Sequence, residues 1–327
     1  MKKKTIIFMA LACGVAVSTL FVSAPITRAS PSDQQASGMN DGIMLMIQSP
    51  EVPQRMTFAD QTIDFDRADI YEKMDRELTA MAYTHGTTML MIKRANRYFP
   101  VLAPILKKQG VPQDLLYLAA IESVLNPRAY SPAKAAGLWQ FMPGTAKQYG
   151  LEVNDEVDER YDPVKSTAAA CIYLRKAYAK YGNWETVAAS YNGGTNRIST
   201  ELAKQQVDNT FDLHLAEETT RYPFRILAAK LIMENPGQYG FNLRADQLYQ
   251  PYDCETVEVN GPVSDWPTWA KEHGITYAQL REVNPWIRAK TLTNKTGKSY
   301  QVLVPKKNSW YRSKQKLKTY NPAWVNR

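Results

Sequence analysis

The run Asp114-Leu-Leu-Tyr-Leu-Ala-Ala-Ile-Glu-Ser-Val-Leu-Asn-Pro127 leads a block of apolar residues straight into one carboxylate, Glu122. Loss of water disfavours the ionised form of a carboxyl group, so an acid at the end of a buried helix holds its proton toward neutral pH and can serve as a general acid. The element that would position it is legible in the same residues. Pro112 suits a first helical turn and Asp114 suits the positive end of the helix dipole. Leu115 to Ile121 is apolar nearly all round, which predicts a buried helix, and Asn126-Pro127 stops it. Glu122 equally fits a structural carboxylate at a helix end, paired with an arginine. Taken alone, the stretch favours that second reading.

A second stretch, Tyr130-Ser-Pro-Ala-Lys-Ala-Ala-Gly-Leu-Trp-Gln-Phe-Met-Pro-Gly-Thr-Ala146, is broken by Pro and Gly into loop and short turns. Trp139, Phe141 and Met142 are large apolar groups with Gln140 among them. Aromatic faces beside an amide are what a sugar site requires, for stacking on ring C–H faces and for hydrogen bonds to N-acetyl groups. The same residues also suit a loop folded onto the core. His85, His214 and His273 are scattered without ligand spacing, so no metal or cofactor is expected. Cys171 and Cys254 fall in different predicted domains and do not make a disulfide framework; Cys171 reads as a small core residue.

The rest of the chain supplies the scaffold. Its 327 residues allow about two domains, and 44% hydrophobic with 22% charged residues is ordinary for a globular protein. Residues 1–29 read as a signal peptide: Lys2-Lys3-Lys4, an apolar Thr5 to Val22, and cleavage after Ala24 or Ala29. An uncleaved anchor and lipidation at Cys13 are the alternatives. Residues 30–65 read as a tether with at most a short helix. Residues 66–250 form the main helical domain, with Ile70, Met74, Leu78 and Met81 at helical spacing. Further helices are expected at 168–181, capped by Ser166-Thr167, and at 184–190, ending at Tyr191-Asn192-Gly193-Gly194. Others are expected at 195–204 and 219–233, with no strand before residue 250. Residues 251–307 then read as strand–helix–helix–strand, and 308–327 as a basic tail.

Charge is uneven. Removal of residues 1–29 takes the formal net charge from +8 to +4, and no acid follows Glu282 while eleven Lys or Arg do. A basic end suits an anionic polymer or membrane surface, or simply a solvated tail; the export signal argues against nucleic acid.

Four segments together resemble a known family. Glu122-Ser123 with Asn126-Pro127, Gly137-Leu-Trp-Gln-Phe-Met-Pro143 with Thr145, Ala189-Ser-Tyr-Asn-Gly193, and Glu218-Thr219 with Tyr222 and Arg225-Ile-Leu-Ala228 are similar to the motifs of the lytic murein transglycosylases of glycoside hydrolase family 23. Asp158-Glu-Arg-Tyr-Asp-Pro163 resembles the membrane-bound transglycosylase D branch. Ala270, Gly274-Ile275-Thr276, Leu280, Asn284-Pro285 and Val304-Pro305 resemble a LysM module, although Val263-Ser264-Asp265-Trp266 replaces its usual Gly-Asp-Thr-Leu. The resemblance implies a mainly α, lysozyme-like domain followed by a small α+β LysM-like domain, in an exported protein of the periplasm or cell envelope. It implies non-hydrolytic cleavage of the MurNAc–GlcNAc β-1,4 bond in peptidoglycan, with Glu122 first as acid and then as base, closing a 1,6-anhydro ring. By motif position Ser131 and Gln140 would hydrogen-bond the N-acetyl region, Met142 would shape the floor, and Tyr191 would orient acid or sugar. Asn192 would fix the turn, and Glu218 would position the cleft. A goose-type lysozyme would need a second carboxylate, for which Asp158, Glu159 and Asp162 are available; a non-catalytic wall-binding protein is the remaining alternative.

Overall fold

A computed structural model describes residues 48–325; the expected signal peptide and Cys13 lie outside the described residues. The chain from Pro50 onward forms one unit. Its first element is a hairpin that the sequence pattern does not announce. Strand β1 (Arg55–Phe58) pairs antiparallel with β2 (Gln61–Asp64), Arg55 opposite Asp64 and Phe58 opposite Gln61. Both turn residues, Ala59 (φ 50°) and Asp60 (φ 66°), occupy the left-handed region, without the Asn-Gly or Asp-Gly that signals such a turn. Support comes from far along the chain: the Ala59 amide donates to Oδ2 of Asp114 at 2.7 Å. Met56, Phe58, Ile63 and Phe65 are buried. The described part of the expected tether therefore belongs to the core. Four-residue strands give too few alternating positions to register as a period.

Helices follow. The expected helical stretch from residue 66 is two helices, α1 (Ala68–Tyr83) and α2 (His85–Lys108), broken at Thr84. A short 3-10 turn leads into α3 (Leu116–Ser123), almost wholly buried as its all-apolar sequence requires. Then come α4 (Pro143–Gln148), α5 (Pro163–Tyr181), α6 (Trp184–Gly193), α7 (Thr195–Gln205) and α8 (Glu217–Glu234). Helix α5 begins five residues before its expected start. Its cap is Asp162, whose carboxylate accepts from the amides of Val164 and Lys165, with Pro163 in the first turn where a missing N–H costs nothing. Asn183 caps α6 through the Thr186 amide. Helix α8 packs against α1, α3 and α6, so the acid-bearing helix sits against the centre of the domain.

The last quarter is strand–helix–helix–strand, as its pattern predicts: β3 (Cys254–Val259), α9 (Trp266–Glu272), α10 (Tyr277–Val283) and β4 (Tyr300–Pro305). The strands pair antiparallel, Cys254 opposite Pro305 and Val259 opposite Tyr300. Trp266, Ala270, Leu280, Trp286, Tyr300 and Val302 fill its core, together with Val157 from the acidic loop of the helical part. Val157 pairs with Ile287, the Asp158 amide donates to the Trp286 carbonyl at 2.9 Å, and the Arg288 amide donates to the Glu156 carbonyl at 2.8 Å. The two parts thus share backbone hydrogen bonds, and the change of character at residue 251 is no break in packing.

The expected basic tail is a clasp. Trp324 is buried and its indole N–H donates to the Met233 carbonyl. Asn96, buried in α2, donates to the Lys318 carbonyl at 2.9 Å and accepts from the Tyr320 amide at 2.8 Å. Tyr320 and Trp324 both contact the ring of Phe99. The lysines of the segment remain exposed, so its charge count concealed an apolar anchor. Among the described residues no helix is long and apolar enough to cross a membrane.

Candidate active site

Helix α3 does not fray; it stops abruptly. Val124 (φ 52°) and Leu125 (φ 51°) take the left-handed conformation in succession, which costs a non-glycine residue and persists only where packing imposes it. Leu125 is fully buried, Arg94 donates to the Val124 carbonyl at 3.1 Å, and the Ser123 hydroxyl reaches the carbonyls of Ala119 and Leu138 at 3.1 and 3.0 Å. Glu122 is therefore fixed on the last turn of a rigid helix.

Its carboxylate is ringed by protein, while the residue keeps some exposure to solvent. Burial pushes its pKa up from the usual 4.5 to about 7. Three groups on α8 act on it. The Tyr222 hydroxyl donates to Oε1 and favours the ionised form, as does the guanidinium of Arg225, whereas the charge of Glu218 opposes it. Glu218, Tyr222 and Arg225 stand at i, i+4 and i+7, one face of one helix. Tyr222 is buried, and burial together with the nearby acid holds its phenol well above the usual range. Sequence reasoning gave roles to Glu122 and Glu218 but none to Tyr222 or Arg225; that helical spacing was the available signal.

Tyr191 reaches the site from α6. Its hydroxyl donates to the Trp139 carbonyl at 2.6 Å, its ring meets Tyr173 edge-on at 5.1 Å, and burial together with the charge of Glu122 holds its pKa well above the usual range. Helix α6 runs on through Asn192 to Gly193, past the expected end, so Asn192 is part of its last turn. Gly193 allows α6 to approach α8, since a Cβ there would lie 2.9 Å from Cγ2 of Thr219.

The loop between α3 and α4 forms the remaining wall, held by a buried clip. Arg160 pairs with both oxygens of Asp158 at 2.9 and 2.7 Å and also donates to the carbonyls of Lys134 and Phe141 at 2.7 and 3.0 Å. Gly137 (φ 79°) lies so close to this clip that a Cβ would sit 1.8 Å from the Arg160 carbonyl oxygen. Gln140 (φ 48°) donates its amide N–H to the Gly137 carbonyl at 2.8 Å, which turns the amide oxygen the other way. The Ser131 hydroxyl oxygen accepts from the Ala135 amide at 3.0 Å, leaving its hydrogen to give. Met142 stays partly exposed at the start of α4. Trp139 and Phe141 are buried, and the Trp139 indole N–H donates to Thr167 at 2.8 Å. These two rings are core, not stacking platforms, which corrects that option and leaves Gln140 and Met142 as the partly exposed members of the segment.

The other carboxylates considered are engaged. Asp158 is held by Arg160, and Glu159 takes the Glu152 amide at 2.8 Å and Lys165 at 2.5 Å; Asp162 caps α5. The arrangement offers a carboxyl group, Glu122, whose proton burial holds toward neutrality and which the Tyr222 hydroxyl orients.

Residues 99–213 match a family described as Transglycosylase SLT domain, and residues 255–308 match one described as Soluble lytic transglycosylase C-terminal LysM-like domain. Membrane-bound lytic murein transglycosylase D of Escherichia coli (strain K12) is 32% identical over 245 residues, 73% of this chain and 52% of that protein. Soluble lytic murein transglycosylase of the same organism is 34% identical over 98 residues, 28% of this chain and 15% of that protein. The crystal structure of the 70 kDa soluble lytic transglycosylase from Escherichia coli aligns with 26% identity and a TM-score of 0.37, over 42% of this chain and 24% of that one. The chain spans about half the length of the first of these relatives. The expected architecture, a mainly α lysozyme-like domain followed by a small LysM-like module of strands and helices, is met in both parts.

Proposed function

We propose that this chain, homologous to the lytic murein transglycosylases through its SLT domain and its LysM-like module, is a peptidoglycan lytic transglycosylase. The observation that carries the reading is Glu122, a carboxyl group with a pKa of about 7 on the last turn of a buried helix. Near neutral pH it is present in both states, and the reaction uses both. The protonated form gives its proton to the glycosidic oxygen between MurNAc and GlcNAc as that bond breaks. The carboxylate then takes the proton of the C6 hydroxyl on the same MurNAc, and that oxygen closes onto the anomeric carbon. The product is a 1,6-anhydro end, and no water is consumed.

A hydrolytic glycosidase needs a second carboxylate to act on water or on the sugar. Asp158, Glu159 and Asp162 are committed to a clip, an ion pair and a cap, which favours the single-acid route. Tyr222 and Arg225 keep the ionised form accessible, and Tyr191 packs beside it. Ser131, Gln140 and Met142 supply the neighbouring wall for the N-acetyl region, Glu218 sets charge at the start of α8, and Asn192 holds the end of α6. The N-terminal Lys2 to Ala29 pattern supports export to the cell envelope. The exposed lysines between Lys306 and Lys318 suit an anionic surface there.

Mass spectrometry of digested peptidoglycan tests the reaction. Released fragments are expected to carry anhydro ends, lighter by one water than reducing ends; reducing ends alone would overturn the reading. Glu122→Gln is expected to release no fragments while folding normally.

A further inference from the structure

A cleft of about 700 Å³ lies where the acidic loop, the loop after α3 and helix α10 meet, and four arginines line it: Arg128, Arg160, Arg281 and Arg288. Two of them are committed. Arg160 pairs with Asp158, and Arg128 pairs with Glu282 at 3.0 Å. Arg281 and Arg288 have no carboxylate partner among the described residues. Arg281 donates from Nη1 to the Tyr277 hydroxyl at 2.8 Å, but its Nε is buried with no hydrogen-bond partner. Arg288 lies over the ring of Tyr161, 4.4 Å from its centroid, and spends its donors only on a 3.4 Å contact with the Pro285 carbonyl. One acid in the same lining, Asp155, is exposed and likewise without an ion pair among the described residues. Unpaired charges of both signs thus face one cavity, each beyond salt-bridge reach of the other.

We propose that this cleft binds the zwitterionic end of a peptide, an α-amino-carboxylate. The carboxylate lies against Arg281 and Arg288, whose planar donor pairs match its two oxygens, and the ammonium against Asp155. A simple anion such as phosphate would satisfy the arginines but be repelled by Asp155. The inference rests on the proposed function, because the wall polymer carries short peptides on its sugars. Tyr130 and Arg128 of the cleft continue along one loop into Ser131 and Gln140 of the candidate site. A peptide held in the cleft is thereby tied to the loop that lines the candidate site. Cross-linking of wall peptides acylates such an amine, so the cleft separates free peptides from cross-linked ones.

Calorimetric titration into the full-length Glu122→Gln protein tests this without turnover. The probes are mono-N-acetyl-diaminopimelate, which keeps one zwitterionic end, its di-N-acetyl derivative, which keeps only the carboxylates, and inorganic phosphate. The mono-acetyl compound is expected to bind about tenfold or more tightly than either of the others. A further Asp155→Asn substitution should erase that preference, and Arg281→Gln should remove binding of all three. Equal binding of phosphate, insensitivity to Asp155→Asn, or no binding of any probe would overturn the proposal. On otherwise unaltered protein, Asp155→Asn should leave cleavage of peptide-free glycan strands unchanged. Anhydro products without probe binding would sink the cleft alone; probe binding without anhydro products would sink the proposed activity alone.

Discussion

At the scale of single residues the protein balances one acid between two states. Burial raises the Glu122 pKa to about 7, and Tyr222 and Arg225 restrain that rise. Tyr222→Phe removes a donor that favours the ionised form, so the pKa should climb further and the alkaline limb of the pH–rate profile should move upward. A roughly tenfold loss in kcat/KM, about 1.4 kcal/mol of transition-state stabilisation, should accompany it. A profile unmoved or shifted downward would assign Tyr222 a packing role only. The same raised pKa has a sign in stability. Above about pH 4.5 the unfolded chain has lost this proton while the folded protein keeps it until about pH 7. The contribution of Glu122 is therefore greatest below its unfolded value and declines as pH rises through 7, by at most about 3 kcal/mol. Glu122→Gln should accordingly melt higher than the parent at pH 8 and little differently at pH 4. The buried helix that carries Glu122 was legible in the sequence because its residues are almost all apolar, but that stretch alone favoured a structural carboxylate, and the resemblance of four segments to a family named it as the acid. Its partner Tyr222 was not, because a tyrosine inside an apolar helix looks like any other core residue until the facing helix is known.

At the scale of elements the loop between α3 and α4 decides how well the site is held. It has almost no regular structure and depends on Arg160 donating to its carbonyls and on Gly137 fitting beneath the Arg160 carbonyl. Gly137→Ala introduces an atom where backbone already stands and asks alanine for a φ of 79°. It should destabilise the protein by about 3 kcal/mol or more, read as a lowered denaturant midpoint, and should lose activity even at temperatures where the fold survives. Helices were readable wherever a stripe of Met, Leu and Ile ran for several turns, and so was the strand–helix–helix–strand order of the last quarter. The β1–β2 hairpin was not, because its turn at Ala59-Asp60 is held by Asp114, fifty-five residues away. The first cap of α5 was also missed: Ser166 and Thr167 have the right side chains, but Asp162 precedes a proline that already fixes the first turn. Trp139 and Phe141 misled for a related reason, since composition does not tell which side of a loop faces inward.

At the scale of the whole molecule, pieces that differ in composition behave as one body. Val157 completes the core of the LysM-like module, and Trp324 completes that of the helical domain. Removing residues 251–327 would therefore strip Tyr320 and Trp324 from Phe99 and disturb the scaffold of the site. Point variants are the cleaner probe. Trp324→Ala should destabilise the helical domain by about 3–5 kcal/mol, visible as a lower melting temperature of the entire chain. A solvated tail would leave that temperature unchanged.

The clasp between Asn96 and Tyr320 joins positions 224 residues apart. During synthesis the helix that carries Asn96 must wait for a partner made 224 residues later. Until then the helical domain lacks the two rings, Tyr320 and Trp324, that pack on Phe99. Contacts of such long separation form slowly, because the intervening chain must first be brought together. A nascent chain that waits for them stays threadable for longer than one whose domains finish in turn.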